Sequence, residues 1–375
     1  MRVALVHDYL TQYGGAERVL AALHDRFPEA PVYTSLYDPT HLPATFRDWE
    51  IHTSPIGRIP GAARTHRAWL PLYPAIFRQI GRQLRSFDLV ISDSSAWSHH
   101  ANPGPDVPHI CYCHSPARFL YSDQHYLGPA RIPAPVRPLT NALFAGLQAL
   151  DRHAARRVTR YVANSGAVAG RIRSAYGVEA SVVYPPVATE RFRPAAPCPP
   201  EDFLLVVSRL VPHKRVDLAV RACTEARLPL KVIGDGRSRE ELAQLAGPTV
   251  ELLGPLDDAA VIDLLQRCRA LILPAVEDFG MTAVEAQAAG RPVVALAGGG
   301  ALETVISGAT GILFPSPTVD ALTAALREAA AIDWDTARIQ ANAERFNQDR
   351  FISGMHTLIA RLGAFRAQAN TIEER

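Results

Sequence analysis

Arg209 and Lys214 are two cations at the ends of a short segment, Arg-Leu-Val-Pro-His-Lys, between a predicted strand and a predicted helix. Such a loop lies at the carboxyl edge of a sheet, where the following helix also presents its partly positive N-terminus. Two fixed cations there suit a diphosphate, and a pair of ordinary surface cations is the alternative. Lys214 and Lys231 are the only lysines among 39 basic residues, so a compact charge at position 214 favours the binding hypothesis.

A second segment, from Glu277 to Glu285, places one carboxylate in a loop and the other one turn into a predicted helix. The intervening backbone N–H groups lie at the helix N-terminus, where they can meet phosphate or sugar oxygens. The carboxylates can accept hydrogen bonds from the hydroxyls of a sugar and a ribose. Helix N-termini often carry acids because of the helix dipole, so the two glutamates alone are a weak signal.

Two glycine-rich segments also follow predicted strands, Gly298-Gly299-Gly300 and the weaker Gly234-Asp235-Gly236. Both are expected to let bare backbone approach a ligand, because glycine has no side chain. Neither matches the pattern G-x-G-x-x-G followed by an acid about 20 residues on, so a nicotinamide-dependent dehydrogenase is not predicted.

In the first half of the chain, Gly14 and Gly15 precede a predicted helix and place flexible backbone at its N-terminus. His114 ends a predicted strand, so its side chain can reach the carboxyl edge of the sheet. A lone histidine is more often structural, which is the alternative for His114.

Two segments partly match metal-binding motifs. Cys111-Tyr112-Cys113-His114 has C-x-C spacing and no second pair within finger distance. Asp333-Trp334-Asp335 precedes a late helix, where Asp335 is expected to act as an N-cap. We therefore expect no metal and no other cofactor.

These segments fall within a repeating pattern of strands and helices. Strands are predicted at 2–6, 31–36, 88–92, 107–113, 159–163, 181–184, 203–207, 230–234, 250–253, 270–273, 292–295 and 311–314. Helices are predicted at 16–27, 137–157, 166–176, 215–226, 238–245, 259–267, 282–289, 319–331 and 335–346, with a helical tail at 349–363. The alternation predicts an α/β fold of mostly parallel, doubly wound sheets covered by helices on both faces.

The chain is long enough, at 375 residues, for two domains. Six prolines between residues 185 and 200 indicate a linker, because proline donates no backbone hydrogen bond. We place the linker at 188–200, between an N-terminal domain, 1–187, and a C-terminal domain, 201–348. Two such domains leave a cleft between the carboxyl ends of their sheets, and ligands bind at that edge in open α/β folds.

Composition argues against several functional classes. With 48% hydrophobic and 20% charged residues the chain is a packed globular protein, and its net charge of +2 argues against a nucleic-acid partner. Five scattered cysteines do not form a disulfide framework and suit a cytoplasmic protein. No apolar run approaches 18 residues, and the first ten residues are too polar for a signal peptide, so a secreted binding protein is not expected.

Charge is unevenly distributed, with a net +5 over residues 1–190 and −3 over the remainder. Residues 51–87 contain no acid, and aromatic and aliphatic residues alternate there with six arginines: Arg58, Arg64, Arg67, Arg78, Arg82 and Arg85. This stretch suits an anionic membrane surface, and a solvated face over core helices is the alternative. We predict peripheral binding at the inner face of the cytoplasmic membrane.

In their order and spacing, these motifs resemble retaining glycosyltransferases of family 4, whose GT-B fold has two Rossmann-like domains facing across a cleft. The second domain carries Ser-Arg-Leu-Val-Pro-His-Lys, the Glu-x7-Glu pair and Gly-Gly-Gly-Ala-Leu-Glu-Thr. The first carries His-Asp-Tyr-Leu, Gly-Gly-Ala-Glu-Arg and Cys-Tyr-Cys-His-Ser-Pro-Ala-Arg. The resemblance spans nearly the whole length and is closest to bacterial mannosyltransferases that build O-antigen or exopolysaccharide.

The resemblance implies a nucleotide-sugar donor held mainly by the second domain. The implied contacts are Arg209 and Lys214 on the diphosphate, Glu285 on the ribose, and Glu277 with the N–H groups of Phe279, Gly280 and Met281 on the sugar hydroxyls. Gly15 would approach the diphosphate from the first domain, and His114 would lie beside the sugar. The tail, 349–375, would pack back on the first domain, and the cations with the helix N-termini would replace a metal.

The implied reaction transfers a hexose with retention, namely mannose from GDP-mannose, onto a lipid-linked or polysaccharide acceptor in cell-surface glycan synthesis. The leaving phosphate would take the acceptor proton on the same face of the sugar. A UDP-sugar donor, carrying glucose or N-acetylhexosamine, is the alternative. A nucleotide-sugar epimerase of the same fold is less favoured, because we identify no acid and base groups placed for that reaction.

Overall fold

A computed structural model describes residues 1–59, 61–63, 65–121, 137–196 and 198–373. The chain divides into two compact units, Met1–Tyr184 with Ile352–Arg375, and Pro185–Phe351. These boundaries differ by three residues from the predicted domain ends at 187 and 348. The predicted linker, 188–200, lies in the second unit and includes a one-turn helix at Thr189–Phe192.

The first unit is built on a seven-stranded sheet in which every pair of neighbours is parallel. Its strands are β1 (Val3–His7), β2 (Val32–Thr34), β3 (Ile51–Thr53), β4 (Leu89–Ser94), β5 (His109–Cys113), β6 (Arg160–Ala163) and β7 (Ala180–Val182), in the spatial order β3-β2-β1-β4-β5-β6-β7. Its helices are α1 (Gly15–Arg26), α2 (Tyr73–Gln83), α3 (Arg118–Tyr121), α4 (Arg137–Ala155) and α5 (Gly166–Tyr176).

The second unit is built on a six-stranded parallel sheet. Its strands are β8 (Leu204–Val207), β9 (Leu230–Ile233), β10 (Val250–Gly254), β11 (Ala270–Leu273), β12 (Val293–Leu296) and β13 (Gly311–Phe314), in the order β10-β9-β8-β11-β12-β13. Its helices are α6 (Thr189–Phe192), α7 (Val216–Ala226), α8 (Arg239–Leu245), α9 (Asp258–Arg267), α10 (Met281–Ala288), α11 (Ala301–Thr304), α12 (Val319–Ala331) and α13 (Thr336–Ala343). Helix α14 (Gln348–Glu373) ends the chain, and from Ile352 onward it groups with the first unit.

The central strands of both sheets are buried on both faces, which explains why they are continuous apolar runs, whereas edge strands such as β3 are partly exposed. All five residues of β1, Val-Ala-Leu-Val-His, are buried, and so are all four of β11, Ala-Leu-Ile-Leu. In the second unit the residues of β8, β9 and β11 pack with the apolar faces of α7 and α12 in one core cluster. The polar residues that end these runs are therefore held at fixed positions along a rigid edge.

The strand order creates one switch point in each sheet, where chain connections leave in opposite directions from two neighbouring strands. In the first unit this point lies between β1 and β4, and in the second between β8 and β11. Loops at the carboxyl ends of these strands diverge and leave room for a ligand. The candidate functional residues are described around these two points.

Candidate functional site

The switch point of the second sheet brings together Lys214 and Glu277, which are 63 residues apart in the sequence. Lys214 ends a 3₁₀ turn, Pro212–Lys214, after β8, and Glu277 lies in the loop after β11. The Nζ atom of Lys214 lies 2.7 Å from Oε1 and 2.6 Å from Oε2 of Glu277. The two side chains are 20% and 18% exposed, so a ligand can reach the pair.

Arg209 is exposed in the loop between β8 and Lys214. That loop is fixed by backbone hydrogen bonds to the last residue of β9 and to the loop that follows: Ser208 N donates to Ile233 O at 3.1 Å, and Leu210 N to Asp235 O at 2.9 Å. These bonds hold the backbone on either side of Arg209 in place, while the Arg209 side chain is exposed.

The glycines at 234 and 236, predicted to let backbone approach a ligand, also allow this contact between two loops of the protein. Their φ angles are +130° and +154°, which side-chain-bearing residues rarely adopt. A Cβ atom at Gly234 would overlap the carbonyl oxygen of Ser208, and one at Gly236 that of Leu210. Glycine is required at these two positions because the backbones of the two loops pack directly against each other.

Gly299 and Gly300, also predicted to let backbone approach a ligand, allow a similar contact with the loop that carries Glu277. Gly299 forms a parallel β-bridge with Glu277, and Gly300 N donates to Glu277 O at 2.9 Å. A Cβ atom at Gly299 would overlap the same carbonyl oxygen, and one at Gly300 would overlap the backbone of Phe279. The glycines thus let the loop after β12 close against the loop that carries Glu277.

The N-terminus of α10 follows Glu277 directly. Gly280, with φ +85°, is the N-cap, and Met281 begins the helix. The buried ring of Phe279 packs edge-on to Phe346, with ring centroids 5.4 Å apart, and so anchors the turn. Glu285 lies in the second turn and is 5% exposed. The Lys214–Glu277 pair and the first N–H groups of α10 thus belong to one edge of the second sheet.

At the switch point of the first sheet, the side chains of four residues form a continuous chain that we call the His114 chain. His7 ends β1, and its Nδ1 lies 2.8 Å from Oδ2 of Asp93 in β4. Its Nε2 lies 3.6 Å from Oε1 of Glu17 in α1. The other oxygen of Asp93, Oδ1, lies 2.5 Å from Nε2 of His114, directly after β5.

Burial differs along the His114 chain. His7, Glu17 and Asp93 are at most 4% exposed, whereas the side chain of His114 is 14% exposed. Glu17 also accepts a hydrogen bond from Gly14 N at 2.8 Å, next to Gly15 at the start of α1. The sequence prediction found Gly15 and His114 but missed His7, Glu17 and Asp93.

Carboxylates and imidazoles alternate along the His114 chain. Burial opposes protonation of His7, but hydrogen bonds and charge from Asp93 and Glu17 outweigh burial and raise its pKa to about 10. Burial also opposes ionisation of Asp93, yet His114 and His7 lower the pKa of that carboxyl. For His114, burial is outweighed by Asp93, which raises the pKa of the imidazole.

Asp8 fixes the loop that follows β4. Its two carboxylate oxygens accept hydrogen bonds from four successive backbone N–H groups, those of Ser95, Ala96, Trp97 and Ser98, at 2.6–2.8 Å. The carboxylate is 2% exposed and is fully used in this role. It is a structural acid beside the His114 chain.

A second histidine group, the sealed histidine cluster, lies between the 3₁₀ turn Ser98–His100 and α4. Nε2 atoms of His99 and His100 lie 3.0 and 2.9 Å from the same oxygen of Asp151, and Tyr121 OH donates to the other oxygen at 2.9 Å. Within the described residues this is the only group of three side chains placed to hold a metal ion. Burial lowers the pKa of His100 to about 4, which keeps that imidazole neutral.

The segments that partly match metal-binding motifs have other roles. Cys111 and Cys113 are buried in a core cluster with Tyr161 and Ile172. Asp335 caps α13, accepting a hydrogen bond from Arg338 N at 3.1 Å, as its position before the helix predicts.

The apolar residues of 51–87 lie mainly in the core rather than on a surface. Tyr73, Phe77 and Ile80 on α2 are buried, and Trp69 and Leu70 pack against the same cluster. Arg58, Arg78, Arg82 and Arg85 are exposed; Arg64 and the side chain of Arg67 lie outside the described residues. Over the described residues, none of the helices combines the length and the apolar character that crossing a bilayer requires.

Two family models match this chain. Residues 13–191 match the model for Glycosyltransferase Family 4, and residues 189–346 match the model for Glycosyl transferases group 1. Together the two matches span residues 13–346, which include every candidate residue named above from Glu17 to Glu285.

Similar proteins include the D-inositol 3-phosphate glycosyltransferase of Nocardioides sp., 32% identical over 57% of this chain and 54% of that protein. The GDP-mannose-dependent alpha-(1-6)-phosphatidylinositol monomannoside mannosyltransferase of Mycolicibacterium smegmatis is 32% identical over 43% of this chain and 50% of its own length. The chain thus spans about half the length of these two relatives.

Solved structures match over a greater length at lower identity. HepE of Anabaena, in complex with UDP and glucose, has a TM-score of 0.72 at 19% identity and covers 96% of this chain and 99% of its own. Sucrose-phosphate synthase of Thermosynechococcus elongatus has a TM-score of 0.71 at 18% identity and covers 97% and 100%. The predicted fold class, α/β of GT-B type with two Rossmann-like parallel-sheet domains, is confirmed.

Proposed function

The chain belongs to glycosyltransferase family 4, and from that premise we propose that it transfers a hexose from a nucleotide-sugar donor, with retention of configuration, onto a lipid-linked or polysaccharide acceptor. The observation that carries the proposal is the Lys214–Glu277 pair at the switch point of the second sheet. It places a cation for a diphosphate and a carboxylate for a sugar at the edge where such folds bind ligands.

Arg209 and Lys214 bind the donor diphosphate in this proposal. Breaking the bond between sugar and phosphate builds negative charge on the leaving diphosphate, and fixed cations there stabilise the transition state. The N–H groups at the start of α10 add a partial positive charge at the same edge. These groups supply what a metal ion supplies elsewhere, so we expect activity to survive EDTA.

Glu277 has two possible partners at this site. Its carboxylate is held by Lys214, so an anion that binds Lys214 competes with Glu277 for the ammonium. When the diphosphate takes Lys214, the carboxylate becomes available to accept hydrogen bonds from the sugar hydroxyls. The N–H groups of Phe279, Gly280 and Met281 bind the same hydroxyls, and Glu285 binds the ribose.

In the first unit, Gly15 approaches the diphosphate and His114 lies beside the donor sugar. Gly15 is exposed at the N-terminus of α1, where an anion is favoured. His114 is the most exposed side chain of the His114 chain. The leaving phosphate takes the acceptor proton, so no second carboxylate is required at the reacting carbon.

Mannose from GDP-mannose is the proposed donor, in the synthesis of a cell-surface glycan. It is supported by two relatives at 32–33% identity that carry GDP-mannose dependence in their names. UDP-glucose, bound by HepE, is the alternative. A thermal-shift panel of GDP, UDP, GDP-mannose and UDP-glucose separates them, because a ligand that binds only the native state raises the melting temperature.

Three variants test the site itself. Lys214→Gln should weaken nucleoside diphosphate binding about 10- to 100-fold, the loss of one charge-assisted contact. Glu277→Gln should keep or strengthen that binding, because the competitor for Lys214 is gone, while transfer of the sugar falls. The control is Lys231→Gln, the only other lysine, whose Nζ lies 4.3 Å from the Phe203 ring centroid. Equal affinities for all three variants would overturn the diphosphate assignment.

We also propose that the first unit binds an anionic membrane surface from the cytoplasmic side. Helix α4 exposes Leu139, Leu143 and Leu150, at 72%, 46% and 43%, on one face. Between residues 137 and 178 the sequence has seven arginines and a single acid, Asp151, which is buried in the sealed histidine cluster. Exposed leucines in an arginine-rich part of the chain suit insertion into an anionic surface, and one of these arginines, Arg173, is paired with Glu179 at 2.6 Å.

Sedimentation with vesicles of phosphatidylcholine and phosphatidylglycerol tests this. The double variant Leu139→Asp, Leu143→Asp should release the protein from vesicles, and Arg78→Ala with Arg82→Ala and Arg85→Ala should weaken binding in a salt-dependent way. Leu256→Asp, at an exposed leucine of the second unit, is the control. If neither set changes sedimentation, membrane binding by these surfaces is rejected.

A further inference from the structure

We propose that Asp93, His7 and Glu17 are positioning residues that present His114 as a charged hydrogen-bond donor to an oxygen of the donor sugar. The inference deepens the proposed function and rests on it for the identity of the ligand. The chain itself is a feature of the first unit alone, since all four side chains belong to it.

The geometry fixes one nitrogen of His114 and leaves the other for a ligand. Nε2 is held by Asp93 Oδ1 at 2.5 Å, so Nδ1 is the nitrogen that remains. The backbone of His114 is fixed on both sides, by donation from its N–H to Ser94 O at 2.8 Å and by acceptance from Asn164 Nδ2 at 3.2 Å. The Tyr112 ring packs edge-on, 5.3 Å away, and limits ring rotation.

Asp93 can hold His114 only because its own second oxygen is held. A carboxylate at 0% exposure needs partners on both oxygens, and His7 supplies the second one at 2.8 Å. Glu17 lies behind His7 and completes an alternating sequence of carboxylate, imidazole, carboxylate and imidazole. A sequence of this kind gives each buried acid a basic partner, which is the condition for keeping ionisable groups out of water.

The charged groups that face His114 act in opposite directions. Burial lowers the pKa of His114, Asp93 and, more weakly, Glu17 raise it, and the positive charge of His7 lowers it. Tyr112 on β5 is buried and donates its hydroxyl to Val183 O at 2.9 Å, and burial keeps its pKa well above the ordinary value, so it adds no charge. The chain therefore predicts shifts of opposite sign for removal of Asp93 and of His7.

NMR titration of histidine-labelled whole protein measures this directly, with the His114 signal assigned from His114→Gln. In the wild type, His114 should titrate above its ordinary value of about 6.5. Asp93→Asn should move that titration below 6.5, and His7→Gln should move it further up. Equal titration in all three proteins, or shifts of the same sign, would overturn the inference. If Asp93→Asn does not fold, the upward shift in His7→Gln decides the outcome.

Kinetics then test whether the chain serves transfer. The rate kcat should fall on the alkaline side as His114 loses its proton, and in Asp93→Asn this limb should move to lower pH by at least about one unit, with a 10- to 100-fold lower rate at neutral pH. In His7→Gln the alkaline limb of the kcat profile should move to higher pH. KM for the acceptor should stay constant, and the exposed-site control Asp263→Asn should match the wild type.

The proposed function and the positioning role of the His114 chain can be contradicted independently. If the wild type turns over none of the donors, the proposed function fails, while the titration still decides the chain. If the titrations shift as expected but the pH profile of transfer does not follow them, the positioning role is overturned and the proposed function stands.

Discussion

The two sheets share the strand order around their switch points, yet the ion pairs that bridge those points differ in burial. Between β1 and β4, His7 and Asp93 are 3% and 0% exposed. Between β8 and β11, Lys214 and Glu277 are 20% and 18% exposed. The first pair continues into Glu17 on one side and His114 on the other, whereas the second pair joins two exposed loops.

This difference in burial indicates different roles for the two ion pairs, although both lie at the switch point of a similar sheet. A buried pair with a further partner at each end cannot exchange partners, so it acts as a scaffold for the one member that reaches the surface. A partly exposed pair can exchange its partner for a ligand group at small energetic expense. In the proposed enzyme the first unit supplies a rigidly held hydrogen-bond donor, His114. The second unit supplies a diphosphate site in which Lys214 can exchange Glu277 for the ligand.

The largest expected effect separates the two pairs by stability. Asp93→Asn should lower the free energy of unfolding by about 3–5 kcal/mol, because it leaves two buried imidazoles without their carboxylate. Glu277→Gln should lower it by no more than about 1 kcal/mol, as for a pair near the surface. Urea denaturation followed by circular dichroism measures both. Similar losses for the two variants would break the contrast between scaffold and exchangeable pair.

The pH dependence of stability sharpens the contrast further. In the folded state the pKa of His7 is raised to about 10 from 6.5. The contribution of His7 to the free energy of unfolding is therefore fully present below pH 6.5 and is lost as pH rises toward 10. The stability difference between the wild type and His7→Gln should shrink by about 1.4 kcal/mol per pH unit over that range. Denaturation midpoints at pH 7, 8 and 9 test it; a constant difference would mean that His7 is not a buried cation.

The sequence predicts the fold well where burial leaves a local signature. Strands buried on both faces are continuous apolar runs, so β11 at 270–273 and β13 at 311–314 are predicted at their observed bounds. β3 (Ile51–Thr53) was missed, because it is a three-residue edge strand that is half exposed and leaves no such run. The helix α6 was hidden by the surrounding prolines.

The site was predictable in part for a similar reason. Lys214 and Glu277 stand in recognisable loop segments, but their contact depends on the adjacency of β8 and β11, which no local pattern reveals. His7 and Asp93 were missed because each lies near the end of a buried strand, where a polar residue also suits the end of the strand. Polar residues at that position in Val-Ala-Leu-Val-His and Leu-Val-Ile-Ser-Asp-Ser are the available signal. For the glycines at 234 and 299 the loop contacts were missed, since the sequence pattern is the same for close approach of a ligand and of a neighbouring loop.

The smallest expected effect concerns salt, and it compares the two pairs under the same perturbation. Ions screen charges near the surface but not those sealed in a core. Between 0.05 and 1 M sodium chloride, the stability difference between the wild type and Glu277→Gln should fall by roughly half, a change of about 0.5 kcal/mol or less. Asp263→Asn removes another exposed pair, with Arg267 at 2.6 Å, and should respond similarly. The difference for Asp93→Asn should stay constant; if it falls with salt as the others do, water reaches the His114 chain and the scaffold interpretation is wrong.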